Sequence, residues 1–188
     1  MTDDYDALYA RTSAAFGDVP EPCLVSFADQ VLTGTPVLDI GAGQGRNALY
    51  MARRGHPVVA LDPSAESIRQ LATAAGDLPL SPVQGGFLDH VPAEPYGAIV
   101  AFGLIPLLDR AAIDALAQRL VSWTRPGGLV FVTAFTTDDP ACPPEDADDL
   151  GGHSFRDADG RVRTYLAPAE LRDLVKGFDV LYHGEAQG

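Results

Sequence analysis

Two carboxylates flank a glycine-rich segment early in the chain, and this combination is suited to holding a polar ligand. The segment runs from Asp39 to Gly45 with the sequence DIGAGQG, and Asp62 follows at the end of the next apolar run. Gly41 and Gly43 allow the backbone to turn sharply and to approach a ligand without a Cβ atom in the way. Asp39 can brace that loop or accept a hydrogen bond from an ammonium group. Asp62 is placed to accept both hydroxyls of a ribose.

The elements around this segment alternate between short apolar runs and amphipathic stretches, which predicts strands and helices of a parallel sheet. We expect Ser64 and Asp109 to cap two of the helices. The predicted strands cover 36–40, 57–61, 81–88, 96–102, 129–135 and 178–182, and the last predicted helix covers 168–176. The glycine-rich segment then lies after the first strand, at the edge where open parallel sheets bind ligands.

The chain is predicted to be a single domain over 1–188, because no repeat or interdomain linker interrupts the alternation. Residues 1–30 are expected to form a helical cap that carries Tyr5 and Tyr9. Residues 137–163 are rich in Asp, Pro and Gly and are expected to form a long acidic loop. We place this loop near the pocket for a second substrate.

The charge of the chain argues against two classes of partner. A formal net charge of −13 repels phosphate backbones and anionic lipid, so we expect neither nucleic acid nor a membrane as partner. The chain starts without a secretory signal pattern, and Cys23 and Cys142 form no C-x-x-C pair. We therefore expect a cytoplasmic protein with reduced thiols.

The spacing of the glycines discriminates between nucleotide cofactors. A dinucleotide fingerprint reads G-x-G-x-x-G, whereas here the third glycine comes one position early, at Gly45, and Arg46 occupies the expected slot. The pattern D-x-G-x-G-x-G, followed by Asp62 after the second strand, resembles the class I S-adenosylmethionine-dependent methyltransferases. A nicotinamide or flavin site, and a structural turn without any ligand, are the alternatives.

The resemblance extends over most of the chain. The stretches 37–54, 59–64 and 96–135, together with 153–155 and 169–172, are similar to the branch that includes the tellurite-resistance methyltransferases. It implies a Rossmann-like methyltransferase fold, α/β with a mostly parallel doubly wound sheet and a C-terminal antiparallel element. It also implies S-adenosylmethionine as cofactor and in-line methyl transfer to a small-molecule acceptor at oxygen, nitrogen, sulfur or a chalcogen. The cofactor residues expected on this basis are Asp39, Gly41, Ala42, Gly43, Arg46, Asn47, Asp62, Pro63, Phe87, Leu88 and Phe102.

The sequence departs from that family at three places. Gly86 stands where an acid commonly holds the adenine amine, so we expect the adenine to rest on Phe87 and Leu88. Gly97 stands where an aspartate is usual at the start of the fourth strand. The antiparallel element is expected to be incomplete, because only its first strand, 178–182, precedes the last residues. A truncated sequence, a second chain that fills the slot, or a sheet with one strand fewer would each account for this, and we favour truncation.

Few catalytic residues are required, because in-line methyl transfer depends mainly on positioning and desolvation. The acceptor pocket is expected between the N-terminal cap, the segment 102–108 and the acidic loop. His153 is the candidate base, since an imidazole titrates near neutral pH, and Tyr9 is the second catalytic candidate. No His or Cys spacing predicts a metal site. A nicotinamide-dependent oxidoreductase and a non-catalytic module that keeps the cofactor pocket remain alternatives, and no oligomeric state is predicted.

Overall fold

Five parallel strands form the central sheet, and the glycine-rich loop lies at their carboxyl edge. The structure is a computed structural model that describes residues 2–144, 146–158 and 160–184. The strand order is β3-β2-β1-β4-β5 and every neighbouring pair is parallel. Its strands are β1 (Val37–Ile40), β2 (Val58–Asp62), β3 (Leu80–Gln84), β4 (Tyr96–Ala101) and β5 (Thr124–Val132). The chain leaves β1 toward β2 on one side and later returns to β4 on the other, which opens a crevice above β1 and β4.

Helices cover both faces of this sheet, as the continuous apolar character of β1 and β4 predicts. Every residue of β1 and β4 is buried. Helices α2, α3 and α4 pack on one face, and α5 and α6 pack on the other. The helices are α1 (Thr2–Tyr9), α2 (Pro22–Phe27), α3 (Arg46–Arg53), α4 (Ala65–Ala75), α5 (Arg110–Trp123) and α6 (Pro168–Leu174). The predicted doubly wound α/β fold is confirmed.

The side chains of β1 alternate between the two faces of the sheet, and this determines which face Asp39 points toward. Val37 joins the apolar cluster under α3, whereas Leu38 and Ile40 join the cluster under α5. Asp39 therefore points toward the α3 face, directly beneath the loop. Both predicted caps are present, since the Ser64 hydroxyl accepts from the Ser67 amide and the Asp109 carboxylate accepts from the Ala112 amide.

The segment predicted as a long loop, 137–163, contains regular structure, and that prediction was wrong. A second sheet has the order β6-β9-β8-β7, in which β8 pairs antiparallel with both β7 and β9. Its strands are β6 (Phe135–Thr136), β7 (Asp148–Gly151), β8 (Ser154–Arg156) and β9 (Val162–Leu166). Aspartate and glycine are poor strand formers, so pairing between distant residues, including the buried Ser154–Thr164 hydroxyl contact of 3.0 Å, determines these strands.

The strand predicted over 178–182 is absent, and this is a second correction. Residues 179–184 have no regular secondary structure, and the side chain of Val180 is 64% exposed. A strand needs a hydrogen-bonded neighbour, and none of the described strands pairs with this segment. The antiparallel element of the fold is thus built from residues 148–166.

The predicted N-terminal cap of residues 1–30 is only partly helical. Two short helices, α1 and α2, and a 3-10 turn over Ala28–Gln30 are separated by irregular backbone. Met1, Glu145, Asp159 and residues 185–188, which belong to the predicted cap, loop and C-terminal segment, lie outside the described residues. Among the helices that are described, none has both the length and the apolar character needed to cross a membrane.

The structure explains Gly97, one of the departures from the family pattern. A Cβ atom at this position would lie 1.7 Å from the Thr35 hydroxyl oxygen and 2.6 Å from the Thr35 Cβ atom. Thr35 is buried and donates a hydrogen bond of 2.6 Å to the Leu32 carbonyl. A Cβ atom at Gly86, by contrast, would meet nothing within 4 Å.

We therefore expect Gly97→Ala to lower the free energy of unfolding by about 1–3 kcal/mol, the usual cost of an overpacked core. Urea unfolding followed by circular dichroism measures this change. Gly86→Ala is the matched control and should change stability by less than about 0.5 kcal/mol. The double variant Thr35→Gly/Gly97→Ala should lose less stability than the two single changes summed, and strict additivity would contradict the proposed clash.

Candidate cofactor and acceptor site

The loop between β1 and α3 turns sharply and is held against the end of β2. Gly41, Gly43 and Gly45 have φ angles of 73°, 53° and 86°, a region that residues with a Cβ atom rarely adopt. The amides of Gly41 and Ala42 donate to the Leu61 carbonyl at 2.8 and 2.9 Å. The loop is therefore a fixed part of the sheet edge.

Two of these glycines are also needed for close packing. A Cβ atom at Gly45 would lie 2.2 Å from the Leu71 side chain on α4. A Cβ atom at Gly43 would lie 2.9 Å from the Tyr9 hydroxyl oxygen. The early third glycine thus allows α4 to approach the loop.

Asp62 connects the end of β2 to the loop. Its buried carboxylate accepts hydrogen bonds from the Gly43 amide at 2.8 Å, the Ser64 amide at 2.9 Å and the Ser67 hydroxyl at 3.0 Å. A carboxylate offers about four acceptor positions, so it retains capacity for one further donor. The binding of Asp62 to ribose hydroxyls stays a prediction. If both ribose hydroxyls donate to this carboxylate, one of its three present donors has to be displaced.

Asp39 is the most unusual group of the site. It is 3% exposed, and its Oδ2 atom has no hydrogen-bond partner among the described residues. Burial raises the pKa of this carboxyl from 3.8 to about 7, against the lowering effect of the Ala48 amide and of Arg46, while the nearby Asp62 raises it further. A buried, unpartnered carboxylate oxygen beneath a loop with open backbone is suited to a cationic or hydrogen-bond-donating ligand.

The N-terminal segment lies over the loop and carries Tyr9 with it. The Tyr9 ring is buried, and the Gln70 side chain donates to the Tyr9 carbonyl at 2.8 Å. Gln44, inside the loop, accepts from the Ala15 amide at 2.7 Å. Burial, followed by the charge of Asp62, raises the pKa of the Tyr9 phenol far above its usual range. Tyr9 is therefore a neutral wall of the loop, and this environment does not favour proton transfer by its phenol.

Two further predicted cofactor residues contact the N-terminal segment. The Asn47 side chain accepts from the Glu21 amide at 2.9 Å, and Arg46 forms an ion pair with the Glu21 carboxylate. Ala42 is part of the loop itself, and Pro63 is exposed beyond Asp62. The contacts of Glu21 with Asn47 and Arg46 were not predicted from the sequence, because no local pattern connects Glu21 with the start of α3.

The residues predicted to hold the adenine have different environments. Phe87 is 4% exposed and packs in the apolar cluster under α5, whereas Leu88 is 49% exposed. Phe102, after β4, packs against the Phe131 ring with 6.4 Å between ring centroids. Leu88 is thus the more accessible of the two predicted adenine contacts.

The far side of the crevice is formed by the segments after β4 and β5. The Leu104 side chain would be 3.4 Å from a Cβ atom at Gly41. The Gly103 amide donates to the Thr133 hydroxyl at 2.8 Å. This bond ties the residues after β4 to the start of the C-terminal sheet, so that sheet begins beside the crevice.

His153 lies in the turn between β7 and β8, with a φ angle of 57°. Its Nδ1 atom is 3.6 Å from the Glu170 carboxylate on α6. The pKa of Glu170 is lowered: partial burial raises it, and the Ala167 amide, Arg110 and His153 together outweigh that effect. The imidazole therefore contacts an acid of the scaffold, and its role as a base stays a prediction.

Arg110 fixes this turn, and no local sequence pattern predicts this role. Its guanidinium donates to the Gly152 carbonyl at 2.7 Å, to the Tyr165 carbonyl at 2.8 Å and to the Glu170 carboxylate at 2.9 Å. One side chain at the start of α5 thus joins the hairpin, β9 and α6. Within the described part of the chain, no group of three or more His, Cys, Asp or Glu could hold a metal ion.

The sequence matches a family model described as a methyltransferase domain over residues 37–128, from β1 into β5. The protein named "Probable S-adenosyl-L-methionine-dependent methyltransferase TehB" of Haemophilus influenzae is 26% identical over 99% of this chain and 62% of its own length. A 2-heptyl-1-hydroxyquinolin-4(1H)-one methyltransferase of Mycobacteroides abscessus is 28% identical over 74% of this chain and 62% of its own.

Solved structures agree with this relationship. The crystal structure of TehB from Haemophilus influenzae has a TM-score of 0.69 and 26% identity, covering 88% of this chain and 53% of that one. The DhpI–SAM–HEP complex, at 23% identity and a TM-score of 0.62, covers 93% of this chain and 85% of its own and shares the fold.

The fold and the loop are similar to those of the class I S-adenosylmethionine-dependent methyltransferases. Among the relatives described above, the chain is similar to TehB in both sequence and fold. The chain spans 62% of the length of the TehB relatives it matches.

The buried carboxyl of Asp39 should make stability depend on pH in the absence of cofactor. Because its pKa is about 7 in the folded chain and about 4 in the unfolded chain, the folded state binds more protons between these values. The stability due to this group is therefore complete below pH 4 and is lost as pH rises to 7. Asp39→Asn should remove this slope and raise the free energy of unfolding at pH 7.5 by up to about 4 kcal/mol.

Urea unfolding between pH 4 and 8 measures the slope. Asp114→Asn, which changes an exposed aspartate on α5, is the matched control and should leave the slope unchanged. Equal pH profiles for the wild-type chain and Asp39→Asn would contradict the raised pKa.

Arg110→Gln should loosen the hairpin while the central sheet stays intact. The two carbonyls that lose their donors should lower the local opening free energy of residues 148–166 by about 1–3 kcal/mol. Hydrogen exchange read by mass spectrometry resolves this segment from the strands β1 and β4. Arg110→Lys keeps the charge without the planar fork. Its local opening free energy in the hairpin should lie between those of the wild-type chain and Arg110→Gln. Unchanged exchange in the hairpin of Arg110→Gln would refute the positioning role.

Proposed function

We propose that the chain transfers the methyl group of S-adenosylmethionine to a small-molecule acceptor. The observation that carries this proposal is the unpartnered Asp39 carboxylate oxygen, which lies buried beneath the loop 41–45 beside a second buried acid, Asp62. The ligand that suits this arrangement has a cationic group and hydroxyl donors in one molecule. S-adenosylmethionine has both: an ammonium and a sulfonium on one part, and a ribose diol on the other.

Each residue around the loop has a proposed task in holding the cofactor. Asp39 accepts a hydrogen bond from the ammonium group, and the backbone of Gly41 and Gly43 lies close to the aminoacyl part. Asp62 binds the ribose while it continues to brace the loop through the Gly43 amide. A positive ligand also favours the ionised form of Asp39, which burial alone disfavours.

The adenine is proposed to rest on the apolar surface near Leu88, with Phe87 supporting it from the core. Pro63, directly after Asp62, is exposed and could border the same surface. A Cβ atom at Gly86 would meet nothing within 4 Å, so there is open space beside this residue. We propose that the adenine amine occupies this space without a charged partner.

The cofactor supplies an electrophilic methyl group, so the chain has to align the acceptor and exclude water. The Tyr9 phenol has a pKa far above neutrality, and His153 lies beside Glu170. We therefore propose neither side chain as a general base at the reacting atom. The acceptor is therefore proposed to bring its own lone pair or to be ionised before it binds.

The acceptor is proposed to bind between the segment after β4, the start of the C-terminal sheet and the hairpin fixed by Arg110. One relative is named for a hydroxyquinolone that it methylates, which supports a small organic acceptor for this chain as well.

The free thiols of Cys23 and Cys142 agree with the cytoplasmic location expected from the sequence, and we include that location in the proposal.

Asp62→Ala should weaken binding of S-adenosylhomocysteine, the demethylated cofactor, about tenfold to a hundredfold. The reason is the loss of hydrogen bonds to a charged group, each contributing about 1.5–3 kcal/mol. Isothermal titration calorimetry measures the affinity. Asp77→Ala, at the exposed position after α4, is the control and should bind like the wild-type chain.

Because Asp62 also braces the loop, Asp62→Asn serves as a second variant that keeps one acceptor oxygen. It should fold with an unchanged circular dichroism spectrum and show an intermediate affinity. Wild-type affinity in both folded variants would remove Asp62 from the cofactor site. Failure of the wild-type chain to bind S-adenosylhomocysteine would overturn the proposed function.

A further inference from the structure

The segment 85–95 connects β3 with β4, and it contains no helix. At its start the Gly85 amide donates to the Asp62 carbonyl at 3.0 Å, and just before it the Gln84 side chain donates to the Pro63 carbonyl at 3.4 Å. Parallel strands are usually joined through a helix, whose own hydrogen bonds hold the crossover. Here contacts with other elements have to hold the segment in place.

Residues 86–90 form a turn whose inner side packs against α5. The Asp89 amide donates to the Gly86 carbonyl at 3.3 Å. The Phe87 ring is buried in the apolar cluster that also contains Leu116 of α5. Because apolar burial has no preferred direction, this packing holds the turn on the helix but leaves its orientation to polar contacts.

Arg119 of α5 supplies such a polar contact. Its guanidinium donates to the Leu88 carbonyl at 2.7 Å. The same group lies over the Trp123 ring, 5.1 Å from the ring centroid. Since Arg119 and Trp123 are four positions apart on one helix, their contact restricts the long arginine side chain. Arg119 is therefore a donor with a defined direction toward the turn.

His90 attaches the other end of the turn. Its Nε2 atom is 2.7 Å from the Tyr96 hydroxyl oxygen at the start of β4. Its ring meets the Trp123 ring edge-on, with 5.4 Å between the ring centroids. Burial, followed by the charge of Arg119, lowers the pKa of His90, so the imidazole is neutral at pH 7. The segment is thus attached to β2, α5 and β4.

The turn carries Leu88, the proposed adenine contact, on its exposed side. The Leu88 residue is 49% exposed, while its carbonyl accepts from Arg119. Because side chain and carbonyl share one backbone, a rotation of this peptide also moves the side chain. The bond from the Gly85 amide to the Asp62 carbonyl connects the same segment to the proposed ribose acid. The orientation of the turn therefore affects the nucleoside end of the proposed site.

We propose that Arg119 is a positioning residue of the cofactor site, and that its hydrogen bond to the Leu88 carbonyl orients the surface that receives the adenine. The inference rests on the proposed function and adds a residue of α5 that the sequence did not predict. Arg119 acts through Leu88 and needs no contact with the cofactor. Its loss should weaken binding of the nucleoside part and leave the aminoacyl part at the loop 41–45 unaffected.

The test measures two ligands of the full chain by isothermal titration calorimetry. One is S-adenosylhomocysteine, and the other is 5′-methylthioadenosine, which keeps the adenine and the ribose but lacks the amino-acid part. Arg119→Gln should weaken the binding of both ligands about tenfold and by the same factor, because a charge-assisted hydrogen bond that orients the nucleoside end is lost. Arg119→Lys keeps a cationic donor without the planar fork and should recover part of the affinity.

Arg125→Gln is the matched control, because Arg125 contacts the same segment near its other end. It pairs with the exposed Glu94 carboxylate at 3.5 Å, and the variant should bind both ligands like the wild-type chain. Hydrogen exchange read by mass spectrometry should be faster over 86–90 in Arg119→Gln, unchanged there in Arg125→Gln, and unchanged in β1 and β2 of both. If Arg119→Gln does not fold, Arg119→Lys takes its place, with a smaller loss that is still equal for both ligands.

Three results separate this inference from the proposed function. Equal affinity of the wild-type chain and Arg119→Gln for both ligands would overturn the positioning role. A larger loss for S-adenosylhomocysteine than for 5′-methylthioadenosine would also overturn it, because the effect would then lie at the aminoacyl part. If the wild-type chain binds neither ligand, the proposed cofactor function is rejected, and the positioning role with it.

Discussion

The hydrogen bond from the Gly43 amide to the Asp62 carboxylate is the interaction on which the proposed cofactor site depends. It joins the loop after β1 to the end of β2 at 2.8 Å, and it requires a backbone that turns through positive φ without a Cβ atom. The same carboxylate holds the first turn of α4 through Ser64 and Ser67. A single acid thus sets the position of the loop, the strand and the following helix.

This arrangement brings two buried acids close together, and it has a cost in stability. Like charges in a desolvated site disfavour simultaneous ionisation, and the raised pKa of Asp39 reflects burial first and Asp62 in addition. The unpartnered oxygen of Asp39 could be removed by an amide or an apolar side chain at the same position. Its presence is therefore better explained by a ligand than by the fold, because binding to the folded state alone would recover the lost stability.

The sequence predicted the part of the molecule that local patterns control. The buried strands β1, β2 and β4 and the caps at Ser64 and Asp109 follow from apolar runs, spacing and residue type, and the structure contains them. The hairpin β7–β8 was missed because its Asp- and Gly-rich strands have low strand propensity. The strand predicted over 178–182 has the right residues but no neighbour with which to pair.

The long-range polar contacts of the site could not be predicted from the sequence, for a related reason. Arg110 binds carbonyls and a carboxylate that lie 42 to 60 positions away in the chain, and Gln70 reaches the Tyr9 carbonyl across 61 positions. Such contacts leave no periodic signal.

These contacts separate the loop 41–45 from the proposed acceptor side of the molecule. The loop 41–45 and Asp62 are positioned by neighbouring strands, so their geometry depends little on what covers them. The walls on the proposed acceptor side depend on Arg110, whose guanidinium holds the hairpin, β9 and α6 in one arrangement. A change at the start of α5 can therefore reshape the acceptor side while the cofactor loop keeps its hydrogen bonds, because no hydrogen bond of Arg110 reaches that loop in the described residues. This separation allows one scaffold to serve different acceptors.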